Sequence, residues 1–298
     1  MTRVDRTSVA GARYLDLQRK ARQTGRPTDE LIQLYALECF LDRLTRSDYA
    51  KNLVLKGGVL LAALDDRRPT RDIDLVATAL RNTEAEIVGV VREIAGISLE
   101  DGVEFDSEQA TAEVIREEDD YSGIRVTLGG TVSRATVRLH VDVNVGDPVW
   151  PEPQHVNLPR LLDGVLQICG YPLEMVLAEK VATAIARGTA NTRWRDFVDL
   201  YALAMRHPVN GATFRASLDR VAQYRKVALT PLASVLIGYS EIGQARWGAW
   251  LRKQRLETTI PAEFSAVLDY IVSFVDPIIS SQLGDRGTWD PAQRRWQE

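Results

Sequence analysis

Over the first fifty positions apolar residues recur every three or four places, the spacing of helices that bury one face. Residues 10–24 form one such segment, closed by Gly25-Arg-Pro. Thr28-Asp-Glu then opens a second with a helix-capping pattern. Leu31, Leu34, Leu37, Leu41 and Leu44 line the second helix and are expected to pack on an apolar strand at 52–55. Residues 57–64 predict a turn and short helix, 65–71 a loop and 83–95 another helix. From 97 to 147 the period falls to two: Val103-Glu-Phe and residues 110–115, 124–128 and 135–145 alternate as strands, with turn signals at Gly123 and Gly129-Gly130. Beyond Pro148 and Pro151 the helical rhythm returns and holds almost to the end, where Gly284-Asp-Arg-Gly-Thr and Asp290-Pro predict a loosely held tail. The pattern therefore predicts an α/β (α+β) protein. A mixed-sheet domain with N-terminal helices is expected over residues 1–150 and a mostly helical domain over 151–298, with the boundary inside 148–159. There is no internal repeat or low-complexity tract.

With 298 residues, 45% hydrophobic and 26% charged, the chain has the make-up of a globular protein of one large domain or two closely packed ones. A net charge of −4 argues against gripping nucleic acid over the whole surface, so a polyanion would have to be met locally. Cys39 and Cys169 lie in apolar contexts and give neither a disulfide framework nor metal-ligand spacing, so reduced core thiols are expected. His140, His155 and His207 are scattered, and Trp247 and Trp250 are expected to serve packing rather than base stacking. The N-terminus has no hydrophobic signal core, and no stretch approaches the roughly 18 apolar residues of a membrane span. A cytoplasmic protein without a membrane partner is expected.

The chemistry gathers at Leu53-Val-Leu-Lys-Gly-Gly-Val-Leu-Leu and at Arg71-Asp-Ile-Asp-Leu75. Strand side chains alternate faces, so Asp72 and Asp74 project from the same side. Two such charges are best tolerated with a divalent cation between them; Mg²⁺, or Mn²⁺ in its place, takes carboxylate oxygens together with substrate phosphates. Gly57 and Gly58 let the backbone approach a ligand, and the amides of Gly58 and Val59 are suited to a phosphate. The parts describe a site for a metal-bound nucleoside triphosphate, the metal held by Asp72 and Asp74. Asp142 shares a strand face with His140 and Asn144; it is either the wet side of a half-buried strand or a third metal-site carboxylate that helps activate an attacking hydroxyl. Arg67, Arg68 and Arg71 precede the carboxylate strand, either as a solvated loop or as contacts to an RNA backbone. The run Arg116-Glu-Glu-Asp-Asp-Tyr reads as a solvated hairpin turn.

A second constellation lies in the helical portion. Lys180 shares a helix face with Leu177 and Ala184, so it is either a snorkelling residue or a cation aimed inward at an anion. Asp196 and Asp199, three apart on the next helix, and Arg193 and Arg195 just before them predict a polar network, with the two arginines available to phosphate or RNA.

These motifs, in this order and over most of the chain, resemble the AbiEii nucleotidyltransferase toxins, including the MenT toxins, of type IV-like toxin–antitoxin systems. The resemblance rests on the N-terminal helices, Val-Leu-Lys-Gly-Gly, Arg-Asp-Ile-Asp, the Ala-Glu-Lys helix and Arg-Asp-Phe-Val-Asp-Leu. It implies a nucleotidyltransferase-like α/β domain joined to a helical domain, with the active site in the groove between them. Asp72 and Asp74 would hold the metal, and Lys56 and Lys180 would be active-site residues. So would Asp196 or Asp199, which the motif does not separate and of which Asp199 is favoured. The implied activity moves a nucleotide from a nucleoside triphosphate onto RNA, for several members the 3′ end of tRNA, blocking aminoacylation and hence translation. A cognate antitoxin on a separate chain is implied, and the toxin is expected as a monomer. Val59 departs from the serine or threonine common after the glycine pair and offers no hydroxyl. Two alternatives share part of these features: a small-molecule nucleotidyltransferase of the aminoglycoside-modifying kind, and a non-catalytic nucleotide- or RNA-binding module. Lys180 and the Arg-Asp-Phe-Val-Asp segment favour the toxin.

Overall fold

The apolar run before the glycine pair becomes a central strand. Of the two helices before it only the first has a side-chain cap: Pro27 takes the cap position of the second and Thr28 is already its first residue, so the capping pattern expected there is not formed. In the computed structural model, which describes residues 4–65, 70–116, 122–162, 164–281 and 287–297, α1 (Val9–Thr24) starts at Ser8, whose hydroxyl accepts from the Gly11 amide. It stops at Gly25, whose φ of 67° is left-handed. In α2 (Thr28–Thr45) the five expected leucines are all buried. Then follow β1 (Leu53–Lys56), α3 (Gly57–Leu60) continued by a 3₁₀ turn at Leu61–Leu64, β2 (Asp72–Ala77), and α4 (Glu84–Ala95), capped by the Thr83 hydroxyl. The expected strand segments 103–105 and 110–115 are one strand, β3 (Val103–Arg116), with a register shift between Asp106 and Thr111. It forms an antiparallel meander with β4 (Ser122–Val132) and β5 (Ala135–Val145), and β6 (Gln154–Pro159) and β7 (Val165–Gly170) complete a seven-stranded mixed sheet in the order β3-β4-β5-β2-β1-β7-β6. The α/β class is as expected.

Three further local expectations change. The chain beyond Pro148 does not turn helical at once: β6 and β7 join the sheet first, β7 parallel to β1 through Leu55 and Gly170, and the helical run begins at Leu173. Leu158, Leu166 and Ile168 are buried at alternating positions, a period-two signal too short to stand out beside the surrounding prolines. Gly123 and Gly129-Gly130 are not turns but lie within β4, Gly123 paired with Ile115 of β3, and a turn falls at Ser133-Arg134. A Cβ on Gly130 would come 2.7 Å from the Glu104 carbonyl oxygen of β3, so glycine there permits close approach of a neighbouring strand. The third change concerns the tail and is described with the helices below. Residues 117–121 of the run expected as a solvated hairpin turn, Arg67, Arg68 and residues 284–286 lie outside the described residues.

The chain divides into two compact units, Met1–Asp147 with Pro153–Tyr171, and Pro148–Glu152 with Pro172–Glu298. The second is formed by α5 (Leu173–Arg187), α6 (Trp194–Arg206), β8 (Val209–Asn210), α7 (Gly211–Tyr224), α8 (Leu232–Val235), α9 (Tyr239–Gln254), α10 (Phe264–Ile279), β9 (Thr288–Asp290) and β10 (Arg295–Gln297). Its core is aromatic: Trp194 stacks on Tyr239 at 5.7 Å between ring centroids, and Trp247 on Phe264 at 4.8 Å. Trp247 is buried, and Trp250 stacks against it, in agreement with a packing role. The C-terminal residues from 287 are held rather than loose. β9 pairs with β8 and β10, Trp289 is buried with its indole N–H on the Ala204 carbonyl at 2.7 Å, and Trp296 stacks on Phe274. Two tryptophans outweigh the Gly and Pro signals because each buries a large apolar area. Cys39 is a buried free thiol and Cys169 a half-buried one. Among the described residues no helix is long and apolar enough to cross a membrane.

Candidate active site

Strand register builds one charged row across the first unit's sheet. Lys56 of β1 stands opposite Asp74 of β2, Asp74 beside Asp142 of β5, and Asp142 opposite Arg125 of β4. Partners in register point to the same face, so cation, two carboxylates and cation lie side by side. Asp72 sits one pleat along, beside His140, which faces Thr127. The intervening Ile73, Leu75, Val141 and Val143 are buried on the opposite face, so alternation alone places Asp72 and Asp74 together, as expected.

Asp74 explains the first glycine. Gly57 has φ 66°, and a Cβ built there would come 1.9 Å from Asp74 Oδ2. The carboxylate lies directly on the backbone that begins α3, where a side chain has no room. Gly57→Ala is therefore expected to cost about 1–2 kcal/mol from the left-handed conformation alone, and more from the displaced carboxylate. Thermal denaturation should show a midpoint several degrees lower; an unchanged midpoint would contradict this packing. Val59 and Gly58 are buried, so the Val59 side chain belongs to the core and its missing hydroxyl leaves no gap at the surface.

Lys56 and Asp142 each have a partner that the sequence did not announce. Lys56 Nζ donates to Asp147 Oδ2 at 2.7 Å with both side chains nearly buried, and it lies 5.8 Å from the Tyr171 ring centroid. Asp147 was missed; the turn Gly146-Asp-Pro at the end of β5 is the signal that could have found it. Arg125, also missed, grips both oxygens of Asp142, Nε to Oδ1 at 2.8 Å and Nη2 to Oδ2 at 2.7 Å. The hydrogen bonds to Asp142, and then the charges of Asp142, Asp72 and Glu113, strengthen the guanidinium's hold on its proton. Arg71 is exposed immediately before β2. Among the described residues no three His, Cys, Asp or Glu side chains are grouped to hold a metal by themselves. Asp72 and Asp74 supply a two-carboxylate set, which suits a hard cation that fills its shell with water and phosphate oxygens.

In the second unit the inward reading of Lys180 is the one found. From α5 its Nζ donates to Asp199 Oδ2 at 2.6 Å and to Asp196 Oδ1 at 3.1 Å, both on α6, while Arg193 Nε donates to Asp196 Oδ2 at 2.6 Å. Asp199 is wholly buried and Asp196 nearly so, whereas Arg195 is exposed and outside these bonds. Burial pushes the Asp196 carboxyl up, but Lys180 and Arg193 outweigh it and hold the group well below the ordinary value of 3.8. A depressed folded value means that its stabilisation is complete above the unfolded value and is lost as pH falls below about 4. The stability gap between the wild type and Asp196→Asn should thus be constant from pH 7 to 5 and shrink by pH 3 in urea titrations. A gap that widens in acid would overturn this account.

The chain matches the family model described as nucleotidyl transferase AbiEii toxin, type IV toxin–antitoxin system, over residues 39–270. No curated protein matches it. Similar solved structures include a candidate nucleotidyltransferase from H. pylori, 14% identical with a TM-score of 0.49, covering 86% of this chain and 98% of that one, and JHP933 from Helicobacter pylori, 15% identical with a TM-score of 0.45, covering 83% and 91%.

Proposed function

The chain belongs to the AbiEii nucleotidyl transferase toxin family of type IV toxin–antitoxin systems, and we propose that this nucleotidyltransferase moves a nucleotide from a nucleoside triphosphate onto RNA, at the 3′ acceptor end of tRNA, and so blocks translation. The observation that carries the reading is the Asp72/Asp74 pair on one sheet face, with Gly57 making room for Asp74. In nucleotidyl transfer a hydroxyl attacks the α-phosphate and pyrophosphate leaves, so the protein's work is positioning and charge neutralisation. A divalent cation, Mg²⁺ or Mn²⁺, supplies that neutralisation when Asp72 and Asp74 hold it. Lys56 exchanges Asp147 for a triphosphate oxygen, and the Gly58 and Val59 amides, just past Gly57 in the chain, are suited to the same phosphates. Each Asp142 oxygen keeps a lone pair beside its Arg125 bond, enough to orient the attacking hydroxyl or to reach the cation. Lys180, Asp196 and Asp199 are essential residues of the second unit. Arg71 meets the RNA backbone, as do Arg193 and Arg195. A cognate antitoxin, encoded as a separate chain, restrains the activity.

Incubation with Mg²⁺, each of four α-labelled nucleoside triphosphates and total RNA tests the proposal. Label is expected in RNA of tRNA size with at least one nucleotide, and chelation of the metal should abolish it. If no nucleotide labels RNA while an aminoglycoside takes up label, the acceptor is a small molecule. If neither is labelled, the protein acts only by binding. Induced wild-type protein should arrest growth, and Lys180→Ala should relieve the arrest.

A further inference from the structure

Arg125 stands in the charged row between Asp142 of β5 and Glu113 of β3, with two of its five N–H donors in use. Its Nε and Nη2 clamp Asp142, whereas Nη1 makes no hydrogen bond among the described residues, and 30% of the side chain is exposed. Asp142 is buried, so the clamp holds the guanidinium plane against the sheet and turns the remaining N–H groups away from the carboxylate. The same face carries Asp72 and Asp74. An arginine with one edge neutralised by a carboxylate and the other edge unfilled is shaped to take an anionic oxygen, and a guanidinium matches phosphate geometry better than an ammonium does.

On the reading of this face as a nucleotidyl-transfer site, we infer that Arg125 binds a phosphate through its free Nη1 edge while Asp142 fixes its orientation. The phosphate belongs either to the nucleoside triphosphate or to the backbone of the RNA acceptor. Asp142 thereby acts as a positioning residue for Arg125, in addition to any contact of its own.

Steady-state transfer with varied nucleotide and varied RNA, together with isothermal titration of the same nucleotide and of tRNA, separates the outcomes. Arg125→Gln is expected to raise one KM and the matching Kd by about 10-fold or more, the effect of losing a charge-assisted contact to phosphate. A rise for the nucleotide assigns the phosphate to the triphosphate, and a rise for RNA assigns it to the acceptor. Arg125→Lys keeps the charge but lacks the second edge, so it should show the same split in weaker form and remain folded if the glutamine variant does not. Asp142→Asn leaves the guanidinium present but loosely oriented, and should weaken phosphate binding less than Arg125→Gln. If Arg125→Gln leaves both KM and both Kd values unchanged, or if Asp142→Asn and the Arg125→Gln/Asp142→Asn double variant weaken binding as much as Arg125→Gln does, Arg125 is only a prop for Asp142 and the inference is wrong. Wild-type protein that transfers no label would instead remove the nucleotidyl-transfer reading, while the titrations would still report on Arg125.

Discussion

On the proposed metal role, Asp74→Asn is expected to slow nucleotide transfer by about three orders of magnitude, roughly 4 kcal/mol of transition-state stabilisation, because the carboxylate charge that would hold the cation is gone. The substitution keeps the shape of the side chain, so its seat against Gly57 survives and the fold should be little changed. Asp72→Asn is expected to act in the same direction, since the two carboxylates form one donor set on one face. Transfer of labelled nucleotide, thermal midpoints and Mn²⁺ binding followed by its paramagnetic resonance would be measured on the same preparations. Transfer at the wild-type rate by a folded Asp74→Asn protein would refute the assignment of the metal to this pair.

The second large effect falls on stability. Lys180→Ala removes the cation shared by Asp196 and Asp199, and Asp199 is wholly buried. Breaking one partner of a buried pair costs about 3–5 kcal/mol, because the remaining charge stays out of water and loses the cation that offset it. For a unit of this size that is a fall of around 10 °C or more in the unfolding midpoint. Replacing both members, Lys180→Ala with Asp199→Ala, should cost less than the sum of the two single changes, since they share one interaction. Additive losses would show that the pair contributes nothing as a pair. Transfer assays on the single variant, run well below its midpoint, separate the role of Lys180 in activity from its role in folding.

The elements legible in the sequence are those set by nearby residues. The leucine stripe of α2 and the alternation that puts Asp72 and Asp74 on one face both follow from spacing within a few positions. β6 and β7 were missed because their place depends on pairing, β7 with the distant β1 and β6 with β7, and not on their own pattern alone. The buried Trp289 likewise holds the C-terminal strands through Ala204.

The same division runs through the candidate site. Residue types and spacing alone were enough to mark two carboxylates on one face and a glycine pair, because side-chain direction along one strand is a matter of local geometry. Lys180 stayed open between two readings, and only its ion pairs decide between them. Which ion meets which was decided by the fold: Asp147 on Lys56 across 91 positions, and Arg125 on Asp142 across 17. Such pairs depend on strand register, and register is a cooperative property of the whole sheet that no short window contains. Burial of Val59 belongs to the same class, since only packing shows that the residue after the glycines faces the core.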